Sequence, residues 1–332
     1  MGATRCRILL IFTNRRLFRC AACDLFVVEC GELSNRFRMR WLICLLIWGC
    51  ASGLHAQTEL RAELERTYDM WRQAVMRKDP AAWQRLTAPH RRAEIQNRIV
   101  SEKRAFPAAV FELPAPPPAL AGLSFLEVSQ NGSTAKASYF GKVDFGVGGE
   151  PTENLLILSF VRAGMAWLYD RADYVNLAAL PEVRKELAAG DIRYLKETPE
   201  ARPDGVVPHT PVVVGPAKYI AKVYVFCPGR ELQVQVNKIS RHRFANAKEA
   251  EIVIGGARDG DNEVQFTIRT LEGGKNQESL AVRVYLMSQV PGVKPIKAYE
   301  YLVKENEAVR PFVTERFQVD AEMVGRLMGE GR

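Results

Sequence analysis

The chain has 332 residues, with 46 Lys and Arg against 38 Asp and Glu, a net charge of +8, and seven cysteines. Residues 1–56 hold eight of those cations, three of the acids and six of the cysteines, so the remainder carries 38 against 35 and keeps one thiol, Cys227. A remainder so close to neutrality gives no electrostatic case for nucleic acid, which needs a concentrated basic face, and a single cysteine excludes an internal disulfide framework.

Residues 1–38 contain seven arginines, three acids and four cysteines without a helical or strand period, and read as an uncertain leader, with Met39 as the alternative start. Cys20, Cys23 and Cys30 include one C-x-x-C, which without a second pair does not make a zinc site. Met39-Arg40, the apolar run Trp41-Leu-Ile-Cys-Leu-Leu-Ile-Trp48 and the small residue Ala56 before Gln57 follow the pattern of a secretory signal peptide over 39–56. Crossing a bilayer takes about 20 apolar residues, so this run is too short for an anchor. The expectation is export to the periplasm or beyond, with cleavage after Ala56. A second exit is Ile47-Trp-Gly-Cys50, which resembles a bacterial lipoprotein box that would make Cys50 a lipid anchor.

Leu60, Leu64, Tyr68, Trp71 and Val75 recur at three- and four-residue steps and predict a first helix capped by Thr58. Asp79-Pro80 breaks it, a short helix follows through Trp83 and Leu86, and another is expected from about His90 to Arg104. Strands are predicted over 123–130 and 135–145 around Asn131-Gly132, and over 155–162 and 165–175 around Ala163-Gly164. Pro181 opens a short helix ending near Gly190. Residues 57–195 therefore form an α+β domain, with helices first and a curved antiparallel sheet after them. The Tyr68-Asp-Met-Trp-Arg-Gln-Ala-Val75 helix, the Lys78-Asp-Pro80 break before Trp83 and the hairpin bearing Trp167-Leu-Tyr-Asp170 carry a likeness to a known family. Over about 58–177 the chain resembles the nuclear-transport-factor-two-like superfamily, the SnoaL or ketosteroid-isomerase-like cone.

Residues 196–216, rich in proline and polar residues, read as an extended linker. Beyond it, seven candidate strands (219–226, 231–236, 250–254, 263–270, 280–287, 297–303 and 313–319) predict an all-β sandwich over 217–322. Gly260-Asp-Asn-Glu-Val-Gln-Phe266 is similar to the turn entering a late strand of immunoglobulin-like domains, which implies fold only. Cys227 closes a strand pattern and reads as a packed hydrophobe.

The cone resemblance implies an apolar pocket, in which some members isomerise or cyclise small molecules with a carboxylate base and a tyrosine or protonated-acid donor. Tyr68, Asp144, Asp170 and Asp173 are of the right type here, but none stands at a spacing that matches a catalytic set, and Asp170 is expected to pair with Arg162 or Arg171 near the surface. Tyr68, Trp71, Tyr139, Trp167 and Tyr169 are the candidate pocket-lining residues, weighed against their being ordinary core. His90, His209 and His242 are widely separated and expected at the surface; with no metal-ligand spacing, no metal is expected. Asp259-Gly-Asp-Asn-Glu263 lacks the Gly and the terminal Glu of a calcium loop and reads as a turn with solvated acids. Gly146-Val-Gly-Gly149 precedes no helix, and neither a nucleophile elbow nor a phosphate loop occurs, so no cofactor is expected. Lys238, Arg241, His242, Arg243 and Lys248 form a basic cluster assigned to a loop, a candidate contact for an anionic surface such as lipid headgroups or polysaccharide.

These readings combine into an exported, non-catalytic binding or scaffolding protein of the bacterial envelope, whose partner is an envelope protein, a glycan or a small apolar ligand. A homodimer through the cone-like domain is a further expectation. The alternatives are an isomerase- or cyclase-type enzyme in the cone and an envelope subunit tethered through Cys50.

Overall fold

The computed structural model describes residues 57–146, 150–274 and 278–330. The expectations for the leader, the signal peptide and Cys50 lie outside them. Residues 57–332 group as one compact unit.

Helix α1 (57–76) buries Leu64, Tyr68 and Val75 along the expected stripe, with Leu60 and Trp71 partly covered. Gln57 is already helical, so Thr58 lies inside the helix and not at its cap. Asp79 then caps α2 (Pro80–Leu86) by accepting from the Ala82 N–H at 3.0 Å, with Pro80 in the first turn where its missing donor costs nothing. Helix α3 (Pro89–Ser101) stops one turn earlier than its periodicity suggested.

Strands β1 (Ser124–Asn131), β2 (Thr134–Val143), β3 (Thr152–Ala163) and β4 (Ala166–Asn176) pair antiparallel in sequence order. Along β3, eight consecutive residues from Asn154 to Val161 are buried. A half-buried strand would alternate, so both faces of this sheet are covered. On one face Leu156, Leu158 and Phe160 pack with Leu64 and Tyr68 of α1. On the other, Leu155 and Ile157 meet Leu187 of α4 (Pro181–Ala188) and Leu195 of α5 (Arg193–Glu197). A third cluster joins Val75, Trp83 and Ile99 of the three N-terminal helices. Each such side chain contributes about 1.5–3 kcal/mol relative to leaving it in water.

The linker expected over 196–216 is shorter: Lys196 and Glu197 belong to α5 and Pro199–Ala201 to a 3-10 turn, while residues 202–217 hold neither helix nor strand and are docked along the first half. The Asn97 side chain donates to the Val212 carbonyl and accepts from the Val214 N–H, each at 2.9 Å. Thr134 Oγ1 accepts from the Gly205 N–H, also at 2.9 Å.

The C-terminal half has eight strands where seven were expected: β5 (Ile220–Phe226), β6 (Arg230–Val236), β7 (Ser240–Ala245), β8 (Lys248–Ile252), β9 (Gly260–Thr270), β10 (Leu280–Met287), β11 (Ile296–Val303) and β12 (Phe312–Val319). They form two antiparallel four-stranded sheets, ordered β11-β10-β5-β8 and β12-β9-β6-β7, and both send side chains into one continuous core that includes Val223, Val284, Val234 and Phe266. The missed strand is β7. Its inward positions are Ser240, His242 and Phe244, and two polar residues in three hide the apolar alternation. Strand β9 starts at Gly260, so Asp261 and Glu263 belong to a strand and not to the turn expected there. A helix that the sequence reading did not anticipate, α6 (Ala321–Leu327), is capped by Asp320 and buries Leu327 in the same core. The fold is α+β: helices with three antiparallel sheets, none closed into a barrel. The two halves are joined by hydrogen bonds from Ala217 N–H to the Val100 carbonyl and from Gly255 N–H to Ser101 Oγ.

Candidate ligand-binding surface

The five aromatic candidates come together in one place. Tyr68, Tyr139, Trp167 and Tyr169 are buried in the core between α1 and the first sheet, with Trp71 packed against them and its ring centroid 4.0 Å from that of Tyr169. Three polar tips bond within the protein: Tyr68 Oη donates to the Pro118 carbonyl, Trp71 Nε1 to Thr87 Oγ1 and Tyr139 Oη to Glu65 Oε1, at 2.9, 3.1 and 3.0 Å. Burial pushes the Tyr68, Tyr139 and Tyr169 hydroxyls well above the usual tyrosine range, so all three stay protonated. Such groups fill space and bond locally. They line neither of two hollows of about 430 and 400 Å³ in the C-terminal half.

Two histidines expected at the surface are buried. His90 Nε2 lies 2.8 Å from Asp170 Oδ1, tying α3 to β4. Asp170 is thus an interior partner of His90, while Arg171 pairs with Asp173 instead. His242 stands between Ser240 and Glu251, with Nε2 2.6 Å from Ser240 Oγ and Nδ1 2.6 Å from Glu251 Oε2. Ser240 Oγ also accepts from the Ile254 N–H at 2.7 Å. The order Ser–His–Glu is that of a nucleophile relay. Ser240 is nevertheless fully enclosed, at 0 % exposure, which leaves no place for a substrate carbon. The relay instead links β7 and β8, edge strands of two different sheets.

Outward residues of the β12-β9-β6-β7 sheet have a different character. Register places Arg316 opposite Glu263, and Thr314 opposite Gln265. The latter row continues to Gln235 on β6 and Arg241 on β7. The next row runs Phe312, Thr267, Gln233, Arg243. Three inter-strand steps of about 4.8 Å make the face about 14 Å across.

At one end of this face lies a hollow of about 430 Å³, lined by Lys238, Arg258, Arg316, Asp261, Glu263 and two asparagines, Asn237 and Asn262. Its frame is rigid. Asn262, only 1 % exposed, accepts from the Arg258 N–H and from Asn237 Nδ2 and donates to the Arg258 carbonyl. Asn237 Oδ1 accepts from the Glu263 N–H at 3.0 Å. Gly256 shapes the adjoining loop: its φ is +63°, and a Cβ there would strike the Tyr219 carbonyl. Lys238 holds φ +62°, a left-handed conformation that a residue with a Cβ adopts at a cost of about 1 kcal/mol.

Among the described residues, no side chain pairs with Lys238, Arg241 or Arg316, all three exposed. Arg243 is committed: with Arg269 it holds the buried Glu231 carboxylate, at 2.7 and 3.0 Å, and these guanidiniums, Arg243 first, bring its pKa down to about 2. Glu263 Oε1 is enclosed and has no hydrogen-bond partner among the described residues.

Of the basic cluster, the structure therefore puts Lys238, Arg241 and Arg243 on or beside one sheet face, whereas Lys248 lies on β8 of the other sheet, opposite Phe226. Arg258, Arg316, Asn237 and Glu263 escaped the sequence reading. Alternation in Glu263-Val-Gln-Phe-Thr267 marks Glu263 as outward, but which strand lies beside β9 is not written locally. Among the described residues no group of three or more His, Cys, Asp or Glu side chains is placed to hold a metal ion. Compared with protein-family models, with curated proteins and with solved structures, the chain matches none.

Proposed function

We propose that the protein is an exported, non-catalytic binding module of the bacterial envelope. It is built as a cone-like α+β half followed by a β-sandwich, and it engages its partner through the outward face of β12-β9-β6-β7. One observation carries this reading: the aromatic side chains of the first half pack against one another in its interior, whereas Lys238, Arg258, Arg316 and two asparagines gather around one open hollow of the second half. An isomerase-type site would need an open cavity with a carboxylate facing it, and the best-placed carboxylate, Asp170, is taken by His90. Helices α4 and α5 already cover the far face of the first sheet, so a dimer through that face would have to displace them. The short apolar run before Gln57 supports export.

Native mass spectrometry of the purified exported protein tests the reading. The protein mass alone is expected. A retained apolar molecule, lost when Tyr169 is replaced by Ala, would move the function into the first half and contradict the proposal.

A further inference from the structure

The site just described rests on the binding-module reading, and its chemistry selects a ligand class. Three properties must be met together. Lys238, Arg241 and Arg316 are exposed cations without partners, so the ligand carries negative charge. Asp261 and Glu263 line the same hollow, and carboxylates only accept hydrogen bonds, so the ligand also brings hydroxyl or amide donors. Between these charges the sheet offers Gln265, Thr267 and Thr314, groups that exchange hydrogen bonds with polar ligands. Phe312, 58 % exposed at the rim, adds one apolar plate.

A polyphosphate or a bare phosphate supplies charge but no donor, and Asp261 and Glu263 would repel it. An anionic bilayer matches poorly as well, because a flat polar face whose exposed apolar side chains are Phe312 and Ile239 has little to insert. A neutral glycan would satisfy the amides and Glu263 and leave three cations unanswered. We propose that this face binds an acidic polysaccharide. Its carboxylates would lie against Lys238, Arg241 and Arg316, a hydroxyl would donate to Glu263, and the chain would run across the strands through the amide row. The frame is built before the ligand arrives, since Asn237 and Asn262 fix the hollow through backbone and amide bonds.

The test uses the purified protein with polygalacturonate as the acidic probe, dextran as the neutral one and phosphatidylglycerol vesicles as the membrane probe. Isothermal titration calorimetry should show binding to polygalacturonate alone, weakening between about 50 mM and about 500 mM salt as screening grows. Arg241→Ala and Arg316→Ala should each lower affinity roughly tenfold, with the circular dichroism spectrum unchanged because neither guanidinium has a partner among the described residues. Arg85→Ala, which removes an exposed cation of α2, should bind as the parent does. Glu263→Gln tests the donor requirement and should weaken the acidic glycan while leaving its salt dependence intact. Equal loss in the Arg85 variant would reveal non-specific charge attraction and overturn the proposal. So would binding to vesicles but not to polygalacturonate, equal binding of dextran, or no binding at all. In these cases a clean mass in the native spectrum would still stand, so the binding-module reading and the ligand assignment fail separately.

Discussion

Single side chains decide what this molecule can do with protons. Glu231 is buried and carries a pKa lowered to about 2 by Arg243 and Arg269, against about 4.3 for an unperturbed glutamate. A carboxylate whose folded pKa is depressed adds stability that is present above the unfolded pKa and is lost as pH falls toward the folded one. Thermal melts should therefore fall between about pH 4.5 and pH 2, and Glu231→Gln should start lower at neutral pH and lose this part of the acid slope. An unchanged slope would mean that the two arginines do not hold the carboxylate. Ser240 gives a second residue-scale prediction. Replacing it with Ala leaves the Ile254 N–H and His242 Nε2 without partners and should cost about 1–3 kcal/mol in chemical denaturation. As an enclosed hydroxyl, Ser240 should also resist a fluorophosphonate probe in the native protein, and labelling at Ser240 would contradict a purely structural relay. Lys238→Gly separates folding from binding. Release of the left-handed strain should raise stability by about 0.5–1 kcal/mol, while loss of the ammonium should weaken the acidic ligand.

Among elements, the segment between the two halves is held by one side chain more than any other. Asn97 bonds both Val212 and Val214, acting as a strand partner would, and Asn97→Ala should cost about 1–2 kcal/mol and open residues 206–216 to limited proteolysis. Resistance equal to the parent would show that the other anchors at Gly205 and Ala217 suffice. Elements with one strong period were legible in the sequence. Helix α1 announced itself through Leu64, Tyr68 and Val75, and the hairpins around residues 131–132 and 163–164 were found because turn glycines stand between apolar runs. Strand β7 was not legible, because Ser240 and His242 occupy core positions by satisfying each other and not by being apolar. Similar reasoning explains His90: its burial depends on Asp170, 80 residues away, and no local pattern reports that contact. Helix α6 was passed over because its buried contribution is essentially one residue, Leu327.

On the scale of the whole molecule, the two halves differ in character. The first packs Tyr68, Tyr139, Trp167 and Tyr169 in its interior, with helices on both faces of its sheet. The second keeps one sheet face polar, flat and partly uncompensated. That surface could not be read locally in the sequence, since it gathers Lys238, the stretch from Arg258 to Glu263 and Arg316 from three separate places in the chain. Strand order alone brings them together. Hydrogen exchange measured with and without polygalacturonate tests this difference most directly. The account predicts slowed exchange in peptides covering β6, β7, β9 and β12, and none in those covering α1 and β4. Protection centred on Tyr68, Trp71 and Tyr169, with the β12-β9-β6-β7 sheet unchanged, would contradict it.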